Sequence, residues 1–559
     1  MIRKAALLAV AAFLAAAVAA AETYSLKDLK RDRANNFYKR GETAVITGRL
    51  LKAGKPVTEG KLRVLITQGG KELSRTDLTC NGKPFRVTYK SEREGWVYFN
   101  FLVLDKAGKP VEKPAGAPIR NDKFLVGEIG VMFDPYQIQK LDLDHADGFY
   151  KCGEKVVVTG QLLKADKPVT EGKLRVLVKW ENKQLSQTDL PCDGKPFRIT
   201  FDKGEKPGWV YFGFQVLDKE GKLIEQPAGR LIQGTFKKYH VAEIGAMFEP
   251  ENIRSSYPIP EDFMEFWKAE RAKLAAVSLN AKVDKVNRKI PGIDLFKVVV
   301  DAGVDHPVTA YMAIPTKAKP KSLPIYITYQ SHSNSGISPD TAIALAKRGA
   351  IGMIATWHGL PLAMGAEYYK KECRQFDQAL RVNDREKWVF HGMYLRVLRA
   401  LDYLKTRPEW NGRDLIVEGG SLGGCEAACA AALDPQVTMA IISVCGFCDY
   451  NGDLDGRRGS TVSNRPAAKK DDARRALSYH DAVSFARFIK CETYFCTGFA
   501  DEQCPPSSVY AAYNNLPTET KKAMFVNLRT GHYGTTRDIK AGKRVKEFFS
   551  HVVVQPVAK

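Results

Sequence analysis

The stretch VEGGSLGGCEAA, residues 417–428, decides how the C-terminal half of this chain is read. Just before it, Leu415-Ile416-Val417 is an apolar run of the kind that makes a buried strand. Cys425 to Leu433 is alanine-rich and helix-forming. Between them lies Gly419-Gly420-Ser421-Leu422-Gly423-Gly424. Strand, G-x-S-x-G, helix is the setting of a nucleophile elbow, in which a strained turn exposes a serine at the end of a sheet. Glycines at 419 and 423 let strand and helix approach without Cβ clashes. The Leu422 N–H then stands at a helix N-terminus, where the dipole favours a developing oxyanion.

Working outward, strand-like runs alternate with helix-length segments. Leu323 to Tyr329 reads as a strand, Thr341 to Arg348 as a helix and Ala350 to Ala355 as the next strand. Met393 to Thr406 reads as a helix, and Asp414 to Glu418 is the strand entering the elbow. Such alternation predicts a parallel sheet with helices on both faces, and those sheets carry their sites at the carboxyl ends of strands.

A serine needs a base, and the base needs a carboxylate to orient it. On an elbow fold the chain order is serine, acid, histidine. Three histidines follow Ser421: His480, His532 and His551. His532 sits in a glycine-flanked loop after the apolar Met524-Phe525-Val526, which suits a base. His480, in LSYHDA, reads as a helix-surface residue, and His551 falls in a helix-like run near the terminus. For the acid, Cys491 to Cys496 reads as a strand and Asp501 follows at its carboxyl end, with Glu502 as the neighbouring rival. The second oxyanion donor is expected from the loop Tyr329 to Gly336 after an early strand.

The N-terminal half is different. FYKRGETAVITGRLLKAGKPVTEGKLRVL begins at Phe37, and FYKCGEKVVVTGQLLKADKPVTEGKLRVL begins at Phe149, 112 residues on. GWVYFNFLVLDKAGK at Gly95 returns as GWVYFGFQVLDKEGK at Gly208. Alternating apolar and polar residues between Gly, Pro, Asn and Asp clusters predict half-buried strands. Roughly seven strands in about 110 residues is the size of an immunoglobulin-like sandwich. The expected architecture is therefore multidomain: all-β sandwiches at 22–135 and 136–250, then an α/β-hydrolase domain at 251–559. Of the eleven cysteines, Cys80 and Cys192 are repeat equivalents, whereas Cys152 has Arg40 as its counterpart. Only the second repeat can form an internal Cys152–Cys192 bridge, which is the expectation in an oxidising compartment. Three buried thiols are the alternative. No cysteine or histidine spacing resembles a metal site, and no metal or other cofactor is expected.

Residues 1–21 combine a basic start, an alanine-rich apolar run and Ala19-Ala20-Ala21 before Glu22. That is the pattern of a cleaved export signal, and no cysteine follows to suggest a lipid anchor. No later run is long enough to cross a membrane as a helix. The net charge of +22 is spread over strand-like segments, and the densest patch, Arg465 to Arg475, contains two aspartates. Scattered lysines read as a solvated surface, so neither nucleic acid nor a membrane is expected as a partner. The expectation is a secreted or periplasmic enzyme.

These residues carry a family resemblance over about 55% of the chain. Pro260-Glu-Asp262-Phe263-Met-Glu-Phe266-Trp267 is similar to the P-x-D-F-x-x-F-W motif of the acetyl xylan esterase / cephalosporin C deacetylase family, carbohydrate esterase family 7. Ser421-Leu-Gly-Gly stands where that family has S-Q-G-G. Gly498-Phe-Ala-Asp501-Glu-Gln-Cys504-Pro-Pro-Ser-Ser508 resembles its acid-bearing D-x-x-C-P-P-S-T segment, and Gly531-His532 its base. The resemblance implies Ser421 as nucleophile, Asp501 as acid and His532 as base. It further implies an acetyl-enzyme, no metal, an acetylated polysaccharide or oligosaccharide as substrate and a tendency to form hexamers. The family's oxyanion tyrosine corresponds to His332, whose backbone N–H would join that of Leu422 as donor. Its D-x-R-G-Q loop corresponds to Thr356-Trp357-His358-Gly359, which nominates Trp357 and His358 for substrate contacts; for Trp357 a packed ring is the alternative. A hydrolase of other specificity, such as a peptidase, and a glycan-binding surface protein with a degenerate hydrolase domain remain open at this level.

Overall fold

The computed structural model describes residues 24–532, apart from 34–36, 53, 69–70, 112–124, 182, 225–238, 289, 379–382 and 460–468. The segment read as an export signal and His551 lie outside the described residues, as do residues 465–468 of the patch from Arg465 to Arg475.

Each repeat folds into two antiparallel-dominated sheets with the same strand order. In the first, Tyr24–Arg31, Thr43–Lys52, Lys55–Pro56 and Phe85–Lys90 form a four-stranded sheet. Phe37–Tyr38, Gly127–Phe133, Gly95–Leu104, Lys61–Gln68 and Lys71–Thr79 form a five-stranded one. The second repeat duplicates this with Val156–Lys164 at the heart of one sheet and Gly208–Leu217 at the heart of the other. Alternate residues point to opposite faces of a strand, so Val97, Phe99 and Phe101 meet Ala44 and Ile46 of the facing sheet in one apolar cluster. Val210, Phe212 and Phe214 meet Val156 and Val158 in the same way in the second repeat.

The outward faces differ. In the first repeat Trp96 and Tyr98 are half-buried. In the second, Gly208–Leu217 is buried along its whole length. Its outward residues Trp209 and Tyr211 belong to the apolar core of the C-terminal half. This strand is covered on both faces, in the manner usually reserved for central strands of α/β sheets.

Cys152 and Cys192, expected as a disulfide, are separate thiols. Tyr150 pairs with Phe248, and Phe248 with Gly208, so Cys152 lies near the start of Gly208–Leu217. Pro191 pairs with Lys173, and Lys173 with Leu217, so Cys192 lies near the end of that same strand. Ten residues of strand put the two cysteines about 30 Å apart, far beyond bridging distance.

The C-terminal half is built on one nine-stranded sheet. Its strands are β1 (Lys282–Lys285), β2 (Ile293–Val300), β3 (Val308–Pro315), β4 (Leu323–Tyr329), β5 (Ile351–Ala355), β6 (Trp410–Gly420), β7 (Met439–Ser443), β8 (Glu492–Gly498) and β9 (Lys522–Asn527). Their spatial order is β1-β2-β3-β5-β4-β6-β7-β8-β9. From β5 onward every neighbouring pair is parallel, so β4, β6, β8 and β9 all end on one edge. Apolar helices cover the sheet, notably His391–Lys405 and Leu422–Leu433. Among the described residues no helix is long and apolar enough to cross a membrane.

Candidate active site

The elbow forms at the carboxyl end of β6, and the helix Leu422–Leu433 follows Ser421 immediately. Ser421 has φ 57° and ψ −122°, a conformation that L-residues avoid and that persists only where surroundings impose it. Those surroundings are visible. A Cβ at Gly419 would lie 1.9 Å from the Gly423 carbonyl oxygen, and one at Gly423 would lie 2.5 Å from that of Tyr329. Both glycines are required by close backbone approach, as their placement in the sequence implied. The Ser421 N–H donates to Ser443 O at 3.0 Å, and Ser331 Oγ donates to Gly420 O at 2.8 Å.

Sequence reasoning passed over Gly446. Its N–H donates to Ser421 O at 2.8 Å, and a Cβ there would sit 3.1 Å from the Leu422 nitrogen. A side chain at 446 would crowd the proposed oxyanion donor. The loop that carries it is strained, with positive φ at Val444, Phe447 and Asp449. Asp481 anchors it by accepting the Asp449 and Tyr450 N–H groups at 2.9 and 2.7 Å.

Asp501 and His532 come together across adjacent strands. Asp501 follows β8 and His532 follows β9, and His532 Nδ1 donates to Asp501 Oδ2 at 2.9 Å. The other carboxylate oxygen accepts the Gln503 and Cys504 N–H groups at 2.8 and 3.0 Å, so Asp501, wholly buried, is fixed by three donors. Burial disfavours a charged imidazole, but the Asp501 carboxylate beside it, helped by the Cys504 side chain, outweighs this and raises the His532 pKa above its ordinary value. An imidazolium formed by proton uptake at this position is therefore strongly stabilised. Glu502, the rival acid, points away to an ion pair with Lys179 of the second repeat. Among the described residues, Asp501, Cys504 and His532 are also the one grouping whose side chains could together ligate a cation, and two of the three are already engaged with each other.

The loop after β4 leans on the elbow. Gln330 Nε2 donates to Ser335 O at 2.8 Å and holds the loop in a tight bend. His332 is exposed at its tip, with its ring 5.1 Å from that of Trp357. Trp357 and His358 do not offer faces to a substrate, contrary to expectation, because both are buried. Trp357 Nε1 donates to Ser333 O at 3.1 Å, supporting the loop after β4 from beneath. His358 Nδ1 accepts the Leu360 N–H at 3.0 Å, and burial pushes its pKa down to about 4, so it is a neutral structural imidazole. His480 is likewise buried, not on a helix surface. Its Nε2 lies 3.2 Å from His391 Nδ1, in a cage with Trp267, Trp388 and Tyr394. Its neighbour Asp481, two positions after an apparently polar Ser-Tyr, gave no sequence cue to this burial.

Comparison with known proteins bears on this geometry. The acetyl xylan esterase (AXE1) family matches residues 247–541, more than half of the chain. The chain belongs to the acetyl xylan esterase family. It is accordingly a serine carboxylic ester hydrolase with an α/β-hydrolase fold. The acetyl esterase Axe7A of Xylanibacter ruminicola is 30% identical over 427 residues, covering 72% of this chain and 89% of that protein. That is more of the chain than the hydrolase half provides, so this likeness extends into the repeats. Among solved structures, the acetyl xylan esterase from Paenibacillus sp. R4 is 24% identical, covers 54% of this chain and 98% of its own, and superposes with a TM-score of 0.48. The acetyl xylan esterase 1 of Thermoanaerobacterium sp. is 22% identical, covers 55% and 98%, and has a TM-score of 0.44.

Proposed function

We propose that this protein is a carbohydrate esterase that removes O-acetyl groups from xylan or its oligosaccharides, with Ser421, His532 and Asp501 as its catalytic residues. The observation that carries the reading is the 2.9 Å His532–Asp501 contact on the strand edge that also presents the strained Ser421. His532 takes the Ser421 hydroxyl proton as Oγ attacks the acetyl carbonyl. The N–H groups of Leu422 and His332 hold the oxyanion. The imidazolium, stabilised by Asp501, then protonates the departing sugar oxygen, which leaves as a free hydroxyl. Water, deprotonated by His532, attacks the acetyl-enzyme and releases acetate.

Two further parts of the reading follow from sequence pattern. The sandwiches are taken as immunoglobulin-like, and residues 1–21 as an export signal that delivers the enzyme outside the cytoplasm, where a polysaccharide substrate is met.

The test is acetate release from acetylated xylan, alongside cleavage of peptide anilides. Acetate release by the wild type, reduced by a factor of about a thousand or more in Ser421→Ala, supports the reading. Anilide cleavage without acetate release from any acetylated sugar refutes it in favour of a peptidase.

A further inference from the structure

The second sandwich grips both loops that carry the acid–base pair. Phe499 lies two residues before Asp501, and its carbonyl oxygen accepts the Trp209 Nε1–H at 2.7 Å. Gly245 of the adjacent strand lies beneath the same carbonyl, where a Cβ would come within 1.9 Å of Phe499 O. The Gly245 N–H donates to Leu528 O at 2.9 Å, in the segment leading to His532. The two loops are also tied to each other, Phe499 N–H to Asn527 O at 2.8 Å and Ala500 N–H to Thr530 O at 3.1 Å. On the other side of Asp501, Lys179 pairs with Glu502. Further along, Ser507 Oγ donates at 2.7 Å to Glu181, a buried carboxylate that also accepts the Trp209 N–H at 2.9 Å. Residues 499, 502 and 507 are thus all held by the sandwich, and Asp501 lies between them.

The duplication supplies an internal comparison. Trp209 and Gly245 have counterparts Trp96 and Gly130 in the first repeat, but Lys179 and Glu181 correspond to Thr67 and Gly69. The charged residues that meet the acid loop occur only in the copy that touches it. A carboxylate is costly to bury in the absence of partners, and Glu181 takes one partner, Trp209 N–H, from its own sandwich and another, Ser507, from the hydrolase half.

We propose that the second sandwich is a working part of the catalytic centre, with Trp209, Lys179 and Glu181 as positioning residues that hold the Phe499–Ser507 segment so that Asp501 faces His532. This rests on the reading of Asp501 and His532 as acid and base. Orientation matters because a small misplacement of a catalytic group costs large factors in rate. These residues touch no substrate; they act through the acid.

The test uses the full-length protein. Trp209→Phe keeps an aromatic ring in place and removes the N–H that Phe499 O accepts. The expected result is a fall in kcat toward p-nitrophenyl acetate of about ten- to a hundredfold with KM little changed. The low-field proton resonance expected of the His532 Nδ1–H in the wild type should be lost or broadened. A merely structural role would lower the melting temperature while leaving both readouts of the folded protein as in the wild type, and that result overturns the proposal. If Trp209→Phe does not fold, Lys179→Met releases Glu502 from the rim and is judged by the same two readouts, with wild-type values again overturning it. The resonance reports on the Asp501–His532 pair whether or not esters are hydrolysed. A wild type inert toward acetate esters, whose resonance is present and is lost in Trp209→Phe, would refute the esterase reading and leave the positioning role standing.

Discussion

Trp96 and Trp209 occupy the same strand position in two copies of one fold, and their fates differ. Trp96 stacks on Tyr98 with ring centroids 5.8 Å apart and remains half-buried. Trp209 and Tyr211 are wholly buried beneath the hydrolase half. The strands around them are almost identical in sequence, Gly-Trp-Val-Tyr-Phe in both. Burial here is a property of what a face meets, not of the pattern that forms the strand. An aromatic pair that can tolerate partial exposure is also ready to serve as an interface.

The largest expected break in the comparison is at the tryptophans themselves. Trp209→Ala should destabilise the protein by about 3–5 kcal/mol, and Trp96→Ala by about 1 kcal/mol, because the first leaves a sealed cavity and the second a half-open one. Urea denaturation of each variant checks this. Equal losses would mean that the buried face contributes no more than the half-buried one.

The equivalent glycines come next. A Cβ at Gly245 meets backbone at 1.9 Å, whereas one at Gly130 meets the rings of Trp96 and Tyr98 at 2.9 and 3.2 Å. Backbone cannot step aside and side chains can, so Gly245→Ala should cost about 3 kcal/mol and Gly130→Ala about 1 kcal/mol. Melting temperatures of the two variants decide it.

Glu181 sharpens the comparison through pH. Burial raises its pKa from 4.5 to about 7, against the opposing effects of Ser507, Arg457 and backbone donors. A carboxyl group raised on folding stabilises the folded state while protonated. That contribution is full below about pH 4.5 and is lost as pH rises through about 7. It should be worth about 3 kcal/mol. Glu181→Gln should flatten the stability profile in this window, and an unchanged slope would remove Glu181 as its source.

The smallest effect is at the rim. Lys179 and Glu502 are about one-fifth exposed, so Lys179→Met should change stability by no more than about 1 kcal/mol. Any larger change in kcat would separate its positioning of the acid loop from its contribution to folding.

Much of the candidate site was legible in the sequence because local backbone geometry constrains local residue choice. An elbow needs glycine at 419 and 423, and the candidate acid and base, Asp501 and His532, follow recognisable apolar runs at strand ends. What was not legible depends on distant packing. His480 looked like a surface residue because its neighbours are polar, yet Trp267 and Trp388 arrive from elsewhere in the chain to enclose it. Trp357 was nominated for substrate contact by its loop, and the neighbouring Ser333 carbonyl draws it inward. The Cys152–Cys192 bridge failed because repeat alignment gives pairing by analogy and says nothing about which end of a strand each cysteine occupies. The docking of the second repeat did leave a trace, the exchange of Thr67 and Gly69 for Lys179 and Glu181. Nothing in the local alternation explained that trace.

The doubly covered strand Gly208–Leu217 also bears on cooperativity. Its residues complete two apolar cores at once, so neither core can open without exposing the other. The boundary near residue 250 divides the sequence but not the unit that unfolds. Between the repeats, by contrast, the described contacts include the half-exposed ion pair Lys164–Glu94 and the exposed pair Lys39–Asp166, and such pairs are weak in water. A calorimetric scan should therefore show the second sandwich and the hydrolase half melting in a single transition, with the first sandwich melting on its own. A chain of three architectural pieces would then behave thermodynamically as two.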